Sequence, residues 1–380
     1  MDFLVNLVGK YLFHGILVLS IVVFVHELGH YLVGKWAGVR VVTFSIGFGP
    51  EIFGWNDRSG TRWKVCWLPL GGFVRFFGDA DASSRADNEA LAAMSEAERR
   101  VSFPHQKLGW RMAIVAAGPF ANFLFAVIVL AGLYMTVGQS HTPPVVGGVE
   151  QGSAAEVAGL QPGDRVVAVG GSGVERFEDL QGIIRLNQGT PVDIRVVRGE
   201  SEITLRATPS VTEETDRFGN SHKLGRLGIR GGKPEFVVRD PAGAVYFASR
   251  EVVSIVDMTL TSIGQMIMGS RSAEDLGGPI RMTEMAGQMA EIGLPTLIWY
   301  AAVISVSLGL MNLFPVPMLD GGHLLFYAFE ALRGKPLGEK VQEYGFRFGL
   351  AVVLTLMIFT TWNDVSRHFD FLRRVADLLS

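Results

Sequence analysis

Two histidines and a glutamate lie close together near the N-terminus, in the order His26–Glu27–Leu28–Gly29–His30. If this segment is helical, the i, i+4 spacing places both imidazoles on one face of the helix. Two nitrogens in that arrangement can bind one divalent ion such as Zn²⁺. Glu27 lies beside them, where its carboxylate can take a proton from water. The pattern therefore predicts a metal site equipped for hydrolysis.

Two other interpretations of these residues stay open at the level of sequence. The first is a pair of solvated histidines with a surface glutamate, because so short a pattern also arises by chance. The run I-V-V-F-V precedes His26, however, and ionisable groups inside an apolar helix are costly and commonly functional. The second is a structural zinc site, which would need four protein ligands and usually cysteine, whereas the chain has Cys66 alone.

A hydrolytic zinc site needs a third protein ligand and an open position for water. One candidate is Asp320, which follows Asn312–Leu313–Phe314–Pro315–Val316–Pro317–Met318–Leu319 and precedes two glycines. The two prolines break the helix at the end of an apolar segment, and irregular backbone at membrane depth is tolerated where it lines a cavity. His323 is a competing ligand. A plain interfacial turn is the alternative, because Asp before Gly-Gly is a common turn signal.

The composition excludes several classes of protein. Of the 380 residues, 48% are hydrophobic and 19% are charged, and the formal net charge is −3. A wholly soluble domain carries about 25% charged residues, and a nucleic-acid-binding protein shows a basic excess. A disordered chain would be poorer in apolar residues. The single cysteine excludes an intrachain disulfide.

Four apolar segments predict membrane spans, although the fourth is short against the length of about 20 residues that a bilayer needs. They lie at residues 11–25 with a continuation to 36, at 112–137, at 297–314 and at 348–362. The loop 31–109 carries ten Lys or Arg residues, whereas the N-terminal flank carries only Lys10. The positive-inside rule therefore predicts that this loop is cytoplasmic and that 138–296 is outside. Arg367, Arg373 and Arg374 in the C-terminal tail conflict with a tail outside the cell.

The region between the second and third apolar segments has the composition of a soluble domain. Short β-rich runs separated by glycine and proline occupy 145–209, a length that can just fold alone. An amphipathic helical pattern follows at 241–268. We predict a first half of a membrane core at 1–137, a β-rich domain at 138–210, a connecting region at 211–296 and a second half of the core at 297–380.

The chain resembles the site-2 protease family of intramembrane zinc metalloproteases over almost its whole length. The resemblance rests on H-E-L-G-H at 26–30 in a first span and on N-L-F-P-V-P-M-L-D-G-G at 312–322 in a third. Further matching stretches are P-L-G-G-F-V-R-F-F-G at 69–78, A-G-P-F-A-N at 117–122 and G-P-I at 278–280. The similarity is close to the bacterial regulator-of-sigma-E protease type, which carries a periplasmic PDZ module.

The resemblance implies a polytopic α-helical membrane protein with about four transmembrane helices, an inserted β-rich PDZ-like domain and a membrane-associated β-hairpin. It implies that His26, His30 and Asp320 are zinc ligands and that Glu27 is the catalytic base. Asn312 would hold the substrate or help to stabilise the oxyanion. The hairpin is expected on either side of Pro69–Gly72, with an edge that captures an unwound substrate strand. The substrate-binding residues predicted in the hairpin are Val65, Trp67, Gly71 and Gly72.

The expected activity is zinc-dependent cleavage of transmembrane segments in regulated intramembrane proteolysis. The expected partners are the lipid bilayer and single-span membrane proteins already trimmed by another protease, such as an anti-sigma factor or a signal-peptide remnant; no nucleic-acid partner is expected. The expected location is the bacterial inner membrane, with the PDZ-like domain periplasmic and acting as a size filter or a spacer. The alternatives are a non-catalytic membrane-anchored PDZ scaffold and a metal transporter, although no inverted repeat is evident.

Overall fold

The computed structural model describes residues 2–79, 91, 93–174, 176–187, 189–215, 221–232, 235–269 and 277–379. The chain divides into two compact units. The membrane unit comprises Met1–Gly132, Val245–Gly264 and Ala273–Ser380, and the β-rich unit comprises Leu133–Ala244 and Gln265–Ser272. The boundary predicted at residue 210 falls inside Leu133–Ala244, the first range of the β-rich unit, and the four-part division of the chain stays a prediction.

Helices make up most of the membrane unit, and several of them are long and apolar. The helices that lie wholly or mostly in this unit are α1 (Asp2–Trp36), α2 (Glu96–Val101), α3 (Leu108–Thr136), α6 (Pro241–Ile267), α7 (Pro279–Ile292), α8 (Leu294–Asn312), α9 (Asp320–Arg333) and α10 (Glu339–Leu379). Four of them contain stretches long and apolar enough to cross a membrane, namely Tyr11–Trp36, Leu108–Thr136, Leu294–Asn312 and Lys340–Ser366. Each predicted apolar segment falls on one of these helices.

The helix that carries the two histidines, α1, packs against α7 and α8. Val18 and Val22 of α1 are buried with Ala286, Leu297 and Tyr300 in one apolar cluster. The N-terminus of α7 is held by Asp364 of α10, whose carboxylate accepts hydrogen bonds from the backbone N–H groups of Gly278 and Arg281 at 3.0 and 3.1 Å. The first turn of a helix leaves its backbone N–H groups without partners inside the helix, and the Asp364 carboxylate accepts hydrogen bonds from such groups here.

An irregular sheet follows α1 and consists of β1 (Val41–Asn56) and β2 (Arg62–Phe76). Residues 43–46 of β1 pair with 72–75 of β2 and also with 62–65, and 51–56 pair with 62–66. Both halves of β2 therefore pair with β1 rather than with each other. The hairpin expected around Pro69–Gly72 was wrong in its pairing, because the apolar run V-V-T-F-S-I at 41–46 supplies the strand that lies between them.

The turn between β1 and β2 is organised by Asp57. Its carboxylate accepts hydrogen bonds from the backbone N–H groups of Ser59 and Thr61 and from the indole of Trp63. Burial acts to raise the pKa of the Asp57 carboxyl, but these hydrogen bonds outweigh burial and lower that pKa below its ordinary value. The Trp63 ring stacks on buried Phe44 with ring centroids 4.1 Å apart, which anchors the sheet.

The β-rich unit is built on a four-stranded antiparallel sheet of β5 (Arg165–Val169), β6 (Ser172–Gly173), β7 (Val192–Arg198) and β8 (Ser201–Ala207). The order of these strands in the sheet is β6-β5-β7-β8. The remaining elements are β3 (Gln139–His141), β4 (Val146–Val149), α4 (Ala154–Val157), α5 (Phe177–Leu186), β9 (Ser210–Thr215), β10 (Ser221–Arg226), β11 (Ile229–Gly231) and β12 (Glu235–Val237). β11 pairs with β4, β12 with β3 and β10 with β9.

The core of this unit lies between the sheet and α5. Inward residues of β7 alternate with outward ones, so Val192, Ile194 and Val196 are buried, and Leu180 of α5 packs with them. Asp164 precedes β5 and is almost fully buried. Arg198 donates two hydrogen bonds to its carboxylate, at 2.7 and 2.8 Å. These bonds lower the pKa of the Asp164 carboxyl, although burial opposes the shift.

Candidate metal centre

His26, His30 and Asp320 meet in the membrane unit, and they are the group of candidate metal ligands found in the part of the chain that the structure describes. Nε2 of His26 lies 3.1 Å from Oδ2 of Asp320, and Nε2 of His30 lies 3.5 Å from the same oxygen. The two Nε2 atoms are 3.3 Å apart. Both imidazoles are buried. The structure thus brings together the three residues that the sequence predicts as ligands.

A tight turn after α8 directs Asp320 toward the histidines. The last turn of α8 ends at Asn312, and the prolines at 315 and 317 cannot continue the helix. Met318 has a φ of 92°, a left-handed conformation that is strained for a residue with a side chain. The turn closes on α9, whose first residue is Asp320. Gly321 packs so closely against the Leu313 and Phe314 carbonyls that a side chain there would overlap them.

A largely buried ion pair fixes the helix that begins with Asp320. Arg111 of α3 donates a hydrogen bond to Glu330 of α9, and both side chains are 15% exposed. The Arg111 guanidinium also lies 4.9 Å from the centroid of the Tyr327 ring, in the range of a cation–π interaction. Because a buried charge is costly without a partner, this pair favours one position of α9 against α3.

The backbone of α3 fixes the orientation of His30. Nδ1 of His30 lies 2.8 Å from the carbonyl oxygen of Ile114. A carbonyl oxygen can only accept, so Nδ1 carries the proton and donates it. The lone pair of His30 is therefore on Nε2, the atom that faces Asp320 and His26. A backbone acceptor of this kind is common behind histidines that bind metals.

Gly118 of α3 leaves the space that the two imidazoles occupy. A methyl group added to Gly118 would overlap Nε2 of His30 and would lie 2.9 Å from Cε1 of His26. Gly29 of α1 has the same relation to α3, because a side chain there would overlap the backbone of Ala117. The two glycines allow α1 and α3 to approach closely where the histidines lie.

Glu27 is 7% exposed and lies next to β2. The backbone of Val74 is hydrogen-bonded to its carboxyl group, which also interacts electrostatically with His26, His30 and Asp320. Gly72 packs against the aliphatic part of the Glu27 side chain, since a methyl group on Gly72 would lie 3.1 Å from Cγ of Glu27. The sheet therefore holds the glutamate beside the three candidate ligands.

Other predicted site residues lie outside this cluster. Asn312 ends α8, and it is not part of the group of candidate ligands that meet in the described part of the chain. His323, the competing ligand, packs its ring against Phe346 at 5.3 Å between centroids. Val65 pairs with both Ile46 and Phe53, so it lies inside the sheet and offers no free edge.

Trp67 and Gly71 lie between the two halves of β2 that pair with β1. Trp67 is 70% exposed, and Gly71 has a φ of 138° and packs against the ring of Phe48. Among the predicted substrate contacts, Gly72 is the one that the structure places against Glu27. The roles of these residues in binding stay predictions.

Asn122 and Gly118 were given no role in the sequence prediction, although both lie in the A-G-P-F-A-N stretch at 117–122. Nδ2 of Asn122 lies 3.2 Å from Nδ1 of His26. The signal that could have found them is a polar amide within an apolar helix, four residues from a glycine, because that spacing places both on one face.

The three candidate ligands fit a zinc ion. Ligand atoms about 2.0 Å from a tetrahedral zinc lie about 3.3 Å from one another. The observed separations of 3.1, 3.3 and 3.5 Å match this value. Oδ2 of Asp320 is buried and makes no well-directed hydrogen bond among the described residues, as expected for an atom placed to bind a metal. Two imidazoles and one carboxylate also form the ligand set of several catalytic zinc sites.

The sequence profile of peptidase family M50, the site-2 protease family, matches residues 14–356. The chain belongs to this family. Two relatives carry the name of a predicted zinc metalloprotease. The one from Agrobacterium fabrum is 48% identical, with 94% of this chain and 96% of the relative covered. The one from Rhizobium meliloti is 46% identical, with 92% and 95% covered. Metalloprotease MmpA of Caulobacter vibrioides is 38% identical, with 93% and 95% covered.

Membership of family M50 confirms the predictions of a zinc-dependent metalloprotease and of a multi-pass membrane protein. It does not support the alternative of a non-catalytic scaffold. Among solved structures, the PDZ domain of an SdrC-like protein from Listeria monocytogenes is 17% identical, covers 24% of this chain and 90% of its own length, and has a TM-score of 0.19.

Proposed function

We propose that this M50 peptidase is an intramembrane endopeptidase in which His26, His30 and Asp320 hold the zinc ion and Glu27 is the catalytic base. The observation that carries the proposal is the convergence of three buried ligand atoms within 3.5 Å of one another. The histidines belong to a helix apolar enough to span a membrane, and Asp320 lies at the start of the helix that follows another such span.

The protein side chains divide the chemistry between them. Zinc, when bound, polarises the scissile carbonyl and makes water nucleophilic near neutral pH. Glu27 accepts a proton from the attacking water and delivers it to the leaving nitrogen as the peptide C–N bond breaks. One water is consumed, and a carboxylic acid and an amine are released. The backbone of Val74 and the close contact with Gly72 keep the Glu27 carboxylate in place for both transfers.

The substrate class follows from where the site lies. A transmembrane helix has its carbonyl groups hydrogen-bonded and must unwind before a carbonyl can be attacked. We infer that the unwound stretch lies along residues 72–76, the part of β2 beside Glu27, which pairs with β1 alone among the described strands. Asn312, Gly71 and exposed Trp67 are proposed to contact the same stretch, whereas Val65 supports the sheet from inside.

The biological setting is proposed from the family resemblance and the charge distribution. The substrates are single-span membrane proteins, such as anti-sigma factors or signal-peptide remnants, that another protease has already shortened. The protein lies in the bacterial inner membrane, and its β-rich unit is a periplasmic PDZ-like domain that excludes substrates with bulky outer domains. Deletion of 145–209 should then relax substrate selection, whereas unchanged selection would favour a passive spacer.

Two variants test the catalytic proposal in detergent-purified protein. Glu27→Gln is expected to keep a stoichiometric zinc ion and to lose cleavage of a tagged single-span substrate. His26→Ala is expected to lose both zinc and cleavage. Retained cleavage by Glu27→Gln would remove Glu27 from the mechanism, and normal zinc content in His26→Ala would remove His26 from the ligand set.

A further inference from the structure

The proton on His26 needs an acceptor that the ligand set does not supply. If Nε2 binds zinc, Nδ1 must carry the proton of the neutral ring. Nδ1 of His30 has the Ile114 carbonyl, which can only accept. Nδ1 of His26 faces instead the side-chain amide of Asn122, at 3.2 Å. Unlike a carbonyl, an amide side chain can either donate to this nitrogen or accept from it.

The two orientations of the Asn122 amide have opposite consequences. With Nδ2 toward His26, the amide donates to Nδ1, the ring proton lies on Nε2, and that atom cannot bind a metal. With Oδ1 toward His26, the amide accepts from Nδ1–H and the Nε2 lone pair is free. The two orientations have nearly the same shape and differ by a rotation of the amide group. With Nδ2 toward His26, Oδ1 is buried and has no hydrogen-bond partner in the described part of the chain.

The surroundings of Asn122 allow this rotation and little else. The residue is 0% exposed. Ser305 of α8 donates a hydrogen bond to its backbone oxygen at 3.0 Å. Gly309, one turn further along α8, packs so closely that an added methyl group would lie 3.2 Å from Cβ of Asn122. Contacts from α8 thus fix the backbone and Cβ of Asn122, and the amide stays opposite His26.

We propose that Asn122 is a positioning residue that holds His26 in the tautomer able to bind zinc, with Oδ1 accepting the Nδ1 proton. The inference rests on the zinc ligands proposed above. It assigns α3 the same task for both histidines, through the Ile114 carbonyl for His30 and through the Asn122 side chain for His26. Removal of such an outer partner typically weakens metal binding by about 10- to 100-fold.

Zinc affinity of the full-length protein in detergent, measured by competition with a chromogenic chelator, tests this role directly. Asn122→Leu keeps the size of the side chain but has no acceptor, and its affinity should fall by about 10- to 100-fold. Asn122→Asp can only accept when ionised, and its affinity should equal or exceed that of the wild type. Asn122→Ala removes the acceptor without adding volume, so its zinc affinity should fall by a similar factor. This variant provides the test if leucine at this position impairs folding.

Ser305→Ala is the matched control, because it removes a hydrogen bond at the same helix crossing without touching His26. Its zinc affinity should be unchanged. Wild-type affinity in Asn122→Ala, or an equal loss in Asn122→Asp and Asn122→Ala, would overturn the inference, because an acceptor would then not be what matters. If zinc binding survives His26→Ala, the failure lies in the proposed ligand set and not in Asn122 alone.

Discussion

The backbone of Gly72 lies directly against the side chain of Glu27. An added methyl group at Gly72 would lie 3.1 Å from Cγ of Glu27, 2.9 Å from Val23 and 2.6 Å from the carbonyl oxygen of Ser45. The Ser45 carbonyl belongs to the sheet and cannot move away independently. The position of the proposed catalytic base is therefore tied to β2, a strand that contributes no zinc ligand.

We predict that Gly72→Ala lowers cleavage without releasing zinc. The methyl group must displace either β2 or Glu27, and a displacement of about 1 Å at a catalytic group can lower the rate by about 100-fold. Zinc content and turnover of a single-span substrate, measured on the same preparation, separate the two effects. Gly109→Ala is the control, since an added methyl group there meets nothing within 4 Å. Turnover of Gly72→Ala equal to that of Gly109→Ala would show that this contact does not position the base.

Gly118→Ala should have the opposite effect and weaken zinc binding itself. Its methyl group would overlap Nε2 of His30, so the imidazole must turn away from Asp320. We expect the zinc affinity to fall by at least about tenfold. The chelator competition assay measures this change.

Gly132→Ala, on the same helix, is the matched control for Gly118→Ala. An added methyl group at Gly132 meets nothing within 4 Å, and alanine favours a helix as much here as at 118. Zinc affinity should therefore stay at the wild-type level. Equal affinities in the two variants would contradict the packing of His30 against Gly118.

Asp164→Asn tests the electrostatic anchor of the β-rich unit. Arg198 and the backbone N–H of Gln161 donate hydrogen bonds to the Asp164 carboxylate. These bonds hold the pKa of that carboxyl group below its ordinary value. A lowered pKa stabilises the fold above the unfolded pKa of about 3.9, and this stability is lost as the pH falls through the lower folded pKa. At pH 7, the backbone amides of β7 in the variant should lose their protection from hydrogen exchange at a temperature about 4–8 °C below that of the wild type.

The difference between Asp164→Asn and the wild type should shrink below about pH 4, where the carboxylate begins to be protonated in the unfolded chain. Asp193→Asn is the control, because its carboxylate lies 3.9 Å from Arg206 and both side chains are largely exposed. Exposed pairs contribute little to stability. A pH-independent difference, or an equal effect of Asp193→Asn, would argue against an ionic role for Asp164.

Local sequence patterns determined the chemistry and much of the helical framework of this protein. His26, Glu27 and His30 could be proposed as site residues because their relation depends only on the pitch of one helix. The apolar spans could be predicted because a bilayer demands about 20 apolar residues. Asp320 could be proposed from its turn and from family resemblance. The strand pairing of 62–76 was not predictable in the same way, because its partner strand at 41–46 precedes it and only packing selects the register.

Tertiary structure alone decided which distant groups support the site. The approach of Asp320 to His26, the contact of Gly118 with both imidazoles, and the facing of Asn122 and His26 each join separate helices. Gly72 likewise reaches Glu27 only because β2 folds back along α1. No periodicity within one segment encodes such contacts, since they arise when buried surfaces of different helices and strands pack to exclude voids.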